Sequence, residues 1–263
     1  MNKNIGGTMK NLKIILFCMF ILTFYNYPAF TQEIDTLMVK ADSAYEAYDN
    51  KAALELYSKI LELDENNYEA SWKLSRAYVD VGETFTNNEE RKAYYQKGEE
   101  YARKAVEIDS IGSKGHLYLS IAIGRVALDA RNKEKIRLSK EVKAEVDKAL
   151  TIDPNDDIAW HVLGRWHRKM ATLNWIQKSF ANIFLGGVPK EASVENAAEC
   201  FQKSIEINPY HINHHLELGI TYQKLKQKDK AITEFNKVIE LPEADSDDVN
   251  HKKEAEKRLQ KLK

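Results

Sequence analysis

Residues 201–212 read FQKSIEINPYHI: an apolar helical stretch closing on Ile207-Asn208, then a proline, then the start of a new helical stretch. The same pattern stands at LYSKILELDENN (56–67), YARKAVEIDSIG (101–112) and VDKALTIDPNDD (146–157). A fifth form, FNKVIELPEAD (235–245), ends the series. Pro154, Pro209 and Pro242 each fall just past such a stretch, where a proline stops a helix without removing an interior hydrogen bond. Asp64, Asp109, Asp153 and Asn208 are spaced by 45, 44 and 55 residues, and Pro242 follows Asn208 by 34. Self-similarity on this scale marks stacked helical units, each unable to bury its apolar face alone. The longer spacings place insertions at about 87–96, 130–140 and 168–193.

Composition agrees with a helical body. Of 263 residues, 39 are Lys or Arg and 40 are Asp or Glu, a formal charge of −1. That balance excludes a nucleic-acid binder working through a broad basic field. With 30% charged and 43% hydrophobic residues, neither a disordered chain nor a multi-span membrane protein fits. Eleven Gly and five Pro are too few for a loop-rich β fold, and two Cys cannot form a disulfide framework. No useful length alternates with period two, so no strand is expected.

The N-terminus has its own character. Lys3, Lys10 and Lys13 are the only charges before Glu33, and IILFCMFILTF (14–24) is an apolar run of eleven residues. A spanning helix needs about 20, so the pattern reads as a signal peptide over residues 1–31, starting at Met1 or Met9. Cys18 follows Phe17, which does not suit lipidation. On this reading the body is exported, to the periplasm, with an uncleaved N-terminal anchor as the alternative. Removal of 1–31 leaves 36 basic and 40 acidic residues, a charge of −4, and Cys200 as the remaining thiol.

The last unit carries His214-His215-Leu216-Glu217-Leu218-Gly219-Ile220-Thr221-Tyr222, then Ala231, Phe235, Val238 and Pro242. It resembles the tetratricopeptide repeat, as do Trp160–Gly164, His116–Ser120 and Trp72–Tyr78. The resemblance implies an all-α fold, an α-solenoid of about five helix pairs with insertions. The expected domain is 32–263, with units at about 34–67, 68–112, 113–156, 157–211 and 212–242 and a polar cap at 245–263.

A narrower match runs through Lys133–Ile136, Ser139, His161–Trp166, Ala171–Lys178, Phe184–Gly186, Pro189 and Ser193–Ala197. This stretch resembles the regulator of microtubule dynamics protein family. Gly164-Arg165-Trp166 followed nine residues later by Trp175 is foreign to the general repeat. Where the family has Ser-Trp and Glu-Arg-Lys, this chain has Asn174-Trp175 and Gln177-Lys178. The family resemblance implies no catalysis, an association with microtubules and membrane contact sites, and for one member phospholipid carriage in the repeat domain. An exported chain meets no microtubules, so on this reading only partner or lipid binding carries over.

Candidate binding residues cluster near the largest insertion. Leu173, Ile176, Phe180, Ile183 and Val188 step by three to five residues, and Trp175, Phe184 and Leu185 widen the stripe up to a stop at Gly186-Gly187. Such a helix packs against a neighbouring repeat, lines an apolar pocket or touches a membrane. Arg165 and Arg125 can each place a guanidinium in a groove, suited to carboxylate or phosphate. Alternatively, Arg165 stacks on Trp166 or pairs with an acid of the next repeat. The candidate ligand-binding set is therefore Arg165, Trp166, Leu173, Trp175, Ile176, Phe180 and Phe184.

His211, His214 and His215 invite a metal reading, but no Cys or carboxylate cluster accompanies them, and neither metal nor cofactor is expected. Enzyme signatures of hydrolase, metalloprotease or phosphate-loop type are missing. The function expected from the sequence is an exported, non-enzymatic scaffold that binds a protein or peptide. The alternative is a carrier of lipid or another apolar ligand near 168–188, with peripheral membrane contact open and nucleic acid excluded.

Overall fold

The computed structural model describes residues 31–185 and 187–262, without the side chains of Asn132, Phe180, Phe184 and Leu185. The expected signal segment lies outside the described residues except for Thr31. The fold is an all-α solenoid of tetratricopeptide type, with twelve helices and no strand among the described residues. The chain divides into two compact units, up to Glu65 and from Asn66 onward.

In the first unit, α1 (31–46) and α2 (Asn50–Leu63) form a hairpin. Tyr48 turns it in the left-handed region, at φ 62°. Ala41, Ala53, Tyr57 and Ile60 are buried, and the Tyr57 hydroxyl donates to Asp42 Oδ1 at 2.7 Å.

In the second unit, α3 (Tyr68–Glu83) packs on α4 (Asn88–Ile108) and α5 (Ser113–Asp129) on α6 (Asn132–Ile152). Next, α7 (Asp157–Ala171) pairs with α9 (Val194–Ile207), while α8 (Trp175–Leu185), the largest insertion, leaves that pair and packs on α6. The last pair is α10 (Ile212–Lys224) with α11 (Lys228–Glu240), and α12 (Asp248–Leu262) covers both.

One linker geometry recurs. Asp109, Asp153 and Asn208 end α4, α6 and α9 at φ −138°, −128° and −132° with ψ near 90°, and Asp64 ends α2 alike at φ −130°. In the second unit each Oδ1 accepts the N–H two residues on, at 3.1, 3.0 and 3.3 Å. These short polar side chains bond their own backbone and halt the helix. Three residues past each stop lies the next N-cap: Gly112, Asp156 and His211.

Seven residues past each stop, a ring N–H donates back to the linker. His116 reaches the Ser110 carbonyl at 3.0 Å, Trp160 that of Pro154 at 2.9 Å and His215 that of Pro209 at 3.0 Å. The other nitrogen of His116 and of His215 faces a carboxylate on the paired helix, Glu145 at 2.6 Å and Glu234 at 2.7 Å.

Neighbouring linkers are also tied to one another. Gly112 has no side chain to cap α5, and the Tyr68 hydroxyl of α3 accepts the Gly115 N–H at 2.9 Å instead. That is the donor a capping side chain would satisfy. Lys114 donates to Asp156 at 2.7 Å, and Asn208 to Asp157 at 3.1 Å.

Pairing within units depends on close approach at glycine. A Cβ on Gly164 would stand 2.9 Å from the Phe201 ring, and one on Gly219 2.6 Å from the Phe235 ring. Gly124 meets nothing nearer than Val142 at 4.0 Å. Gly219→Ala is therefore expected to destabilise the protein by about 1–3 kcal/mol through overpacking. Gly124→Ala is expected to stabilise by about 0.5–1 kcal/mol, the ordinary helix-interior gain. Urea unfolding followed by circular dichroism checks both, and equal effects would contradict this packing.

Candidate functional site

The first helices of successive pairs, α3, α5 and α7, place side chains side by side. Trp72 of α3 and Tyr118 of α5 stack at 5.1 Å with planes 8° apart, and the Arg76 guanidinium lies over both rings at 5.4 and 5.9 Å. Further along, Arg125 of α5 pairs with Glu83 at the end of α3. On α7, one turn apart, stand Arg165 and Lys169.

Arg165 is 45% exposed in its side chain, yet burial is the largest influence on its guanidinium and lowers its pKa. Glu217 opposes that shift, and Arg125 and Arg168 add to it. Arg165 thus stands, open to water, on the face that α3, α5 and α7 share, the side on which a helical-repeat stack forms its groove.

Lys169 behaves likewise. Burial, then Lys135, Arg165 and Arg125, lower its pKa, and no carboxylate opposes them. Of the acids here, Glu83 is engaged with Arg125. Glu217 of α10 holds Arg168, which also donates to the Glu217 carbonyl at 2.9 Å and to Thr221 at 3.0 Å, leaving Arg165 at 3.7 Å.

The residues singled out from the sequence are dispersed. Trp166 points away from the groove; it is 6% exposed, donates its indole N–H to the Ser139 carbonyl at 2.8 Å and packs in the core between α6 and α7. Leu173 is half-buried against that core. Trp175 is 77% and Ile176 40% exposed, and Ile183 also faces solvent, whereas Ala181 is buried. Of the apolar stripe read from the sequence, Leu173 and Val188 pack against the core while Ile176 and Ile183 face solvent. The side chains of Phe180 and Phe184 lie outside the described residues. Asn174 and Gln177, which depart from the family pattern, exchange hydrogen bonds at 3.1 and 3.0 Å and close a capping box at the start of α8. Among the candidates whose side chains are described, Arg165 is the one on the face shared by α3, α5 and α7. The sequence reading missed Lys169 as its companion, although two like charges four apart with no acid one turn away were a legible signal.

Beside the groove lies a cluster of imidazoles. His161 Nδ1 and His214 Nδ1 are 2.9 Å apart, and His214 Nε2 meets Asp157 Oδ2 at 3.0 Å. His211 stacks on His214 with centroids 4.1 Å apart and planes 9° apart. Two parallel stacked rings send their in-plane lone pairs along separate planes, which opposes a shared metal ion. His215 belongs to the linker bond with Pro209 and to Glu234 instead.

Against this geometry stand the relatives. The family model of regulator of microtubule dynamics protein 1–3 matches residues 37–263. The chain belongs to that family. Regulator of microtubule dynamics protein 1 of Bos taurus is 28% identical over 229 residues, covering 86% of this chain and 71% of its own length. The Caenorhabditis elegans protein of the same name is 28% identical, with 84% and 97% covered. Regulator of microtubule dynamics protein 2 of Homo sapiens is 27% identical, and the match spans 87% of this chain and 55% of the human one.

Among solved structures, a thermophilic TPR protein of Thermus thermophilus superposes with a TM-score of 0.62 at 15% identity, covering 84% of this chain and 98% of its own. The family members named above come from animals, whose cells have no periplasm. The periplasmic, exported assignment is thereby overturned: a short apolar run after three lysines is generic to membrane targeting and does not name a compartment. The objection to microtubule-related roles, which rested on export, falls with it. Among the described residues no helix is long and apolar enough to cross a membrane.

The imidazole cluster predicts a pH response. Burial pulls His211 down to about 4, with His214 adding to the shift, and burial holds His161 well below its usual value. Both are neutral in the folded chain at pH 7. The unfolded chain binds their protons near pH 6.5, so their stability contribution is complete above that pH. It is lost as pH falls toward 4. For His211 the full span is about 3 kcal/mol. The urea midpoint is expected to drop between pH 7 and pH 4.5, and less steeply in His211→Gln; identical slopes would contradict the buried neutral state.

Proposed function

We propose that residues 32–263 form a non-enzymatic helical-repeat scaffold that binds a segment of another protein in the groove lined by α3, α5 and α7. The observation that carries this reading is the row of side chains that α3, α5 and α7 set side by side, from the Trp72–Tyr118 stack to Arg125 and the water-exposed Arg165. Stacked helix pairs keep a shared core while the groove-lining positions vary, an arrangement suited to recognition. The aromatic platform of Trp72 and Tyr118 offers contact area at small cost in side-chain entropy. The relatives are named for regulating microtubule dynamics, a process of protein assemblies, which agrees with a protein-binding part. The apolar carrier reading receives no comparable support, because Trp175, Ile176 and Ile183 face solvent.

A photo-crosslinking phenylalanine analogue placed at Tyr118 in the full chain tests the scaffold in cells. Discrete crosslinked products are expected at Tyr118, lost when Arg165→Glu is added, and none at Lys257 on the exposed side of α12. Products at Lys257 alone, or products indifferent to Arg165→Glu, would overturn the groove as the binding surface.

A further inference from the structure

We infer that the contact between His161 and His214 is an acid-sensitive latch, which joins α7 to α10 and releases the C-terminal helices α10–α12 as pH falls. Two imidazoles meet there nitrogen to nitrogen, His161 Nδ1 to His214 Nδ1 at 2.9 Å, and His214 Nε2 lies 3.0 Å from Asp157 Oδ2. The carboxylate is an acceptor, so His214 carries its proton on Nε2. Its Nδ1 then accepts, and His161 donates the Nδ1–H. One added proton, on the outer nitrogen of His161, leaves this chain intact, because a single hydrogen still lies between the two Nδ1 atoms. A second puts a hydrogen on each Nδ1, and two cationic N–H groups face one another at hydrogen-bond distance. The latch holds with none or one and fails at two.

The surroundings oppose the second proton. His161 is 6% and His214 0% exposed, and His211 stacks on His214 at 4.1 Å. From α7, Arg165 and Arg168 face His161, and from α9 the Phe201 ring meets it edge-on at 5.4 Å. Glu217 of α10 is taken up by Arg168. Asp157 serves Asn208 as well as His214, while Asp245 and Asp248 act on His211. Burial, then His214 and Arg165, hold His161 well below its usual value. An opened latch takes up that proton near pH 6.5 and the closed one refuses it. Opening therefore grows below pH 6.5, by up to about tenfold per pH unit. His116 and His215 are built differently: a carboxylate and a carbonyl face their two nitrogens, so a proton there meets an acceptor and breaks no bond. In a repeat stack an end module can open while the rest stays folded, and α10–α12 is such a module, with α12 packed on α10 and α11.

Hydrogen–deuterium exchange of the full chain, read by mass spectrometry at pH 7 and pH 5 and corrected for the intrinsic rate at each, tests the latch. At pH 5 ordinary carboxylates are still mostly ionised. Amides of α10–α12 are expected to lose at least tenfold in protection at pH 5, while those of α3 and α4 change less than twofold. In His161→Gln the drop is expected to shrink below threefold, because glutamine offers His214 a donor and takes up no proton. In His116→Gln it is expected to persist. Equal protection at both pH values, a loss shared by every helix of the second unit, or a drop undiminished in His161→Gln would each overturn the latch. A second reading needs no variant. Nitrogen-15 NMR of histidine-labelled protein at pH 7 is expected to show a coupling between two imidazole Nδ1 atoms across their hydrogen bond, and its absence would overturn the latch as well.

Discussion

The helix pairs from α3 to α10 hand over to one another through linkers of four residues, held at both ends by side chains of the linker itself and of the helix beyond. Asp109, Asp153 and Asn208 stop one helix by bonding the N–H two residues on, and a ring N–H from His116, Trp160 or His215 then fixes the carbonyl between. With so few residues, the exit direction of one helix determines the entry of the next. The lateral ties Tyr68–Gly115, Lys114–Asp156 and Asn208–Asp157 add the register between units. These bonds supply partners to backbone groups that the helix ends leave open. Local hydrogen bonding and stacking geometry are therefore one constraint.

That constraint has an electrostatic consequence. Fixing α5, α7 and α10 in register sets Arg125, Arg165, Arg168 and Lys169 around a common space, and Glu217 is shared between two of them. Beside these charges, burial keeps His161 of α7 and His211 at the start of α10 neutral at pH 7. The charged surface and the neutral rings meet at His161 and Arg165, four residues apart on one helix.

Much of this was legible in the residues. Asp or Asn closing an apolar stretch, with Pro154 and Pro209 behind, located the linkers, and Gly219 with Phe235 located a helix crossing. The groove was only partly legible: Arg165 could be named, but its neighbours on α5 and α6 meet it through stacking that no local pattern encodes. The α8 stripe was read from spacing alone, which does not say which of its members meet α6: Ala181 is buried, while Trp175 and Ile183 face solvent. The compartment was misread because basic residues before an apolar run suit several membranes equally.

The most direct measurement is the ionisation of Lys169 itself, followed by carbon-13 NMR on reductively methylated full-length protein, with the resonance assigned by Lys169→Arg. The account predicts one lysine titrating below the others, moving back toward them in Arg165→Gln. Titration of Lys169 together with the exposed lysines would contradict an uncompensated cationic groove.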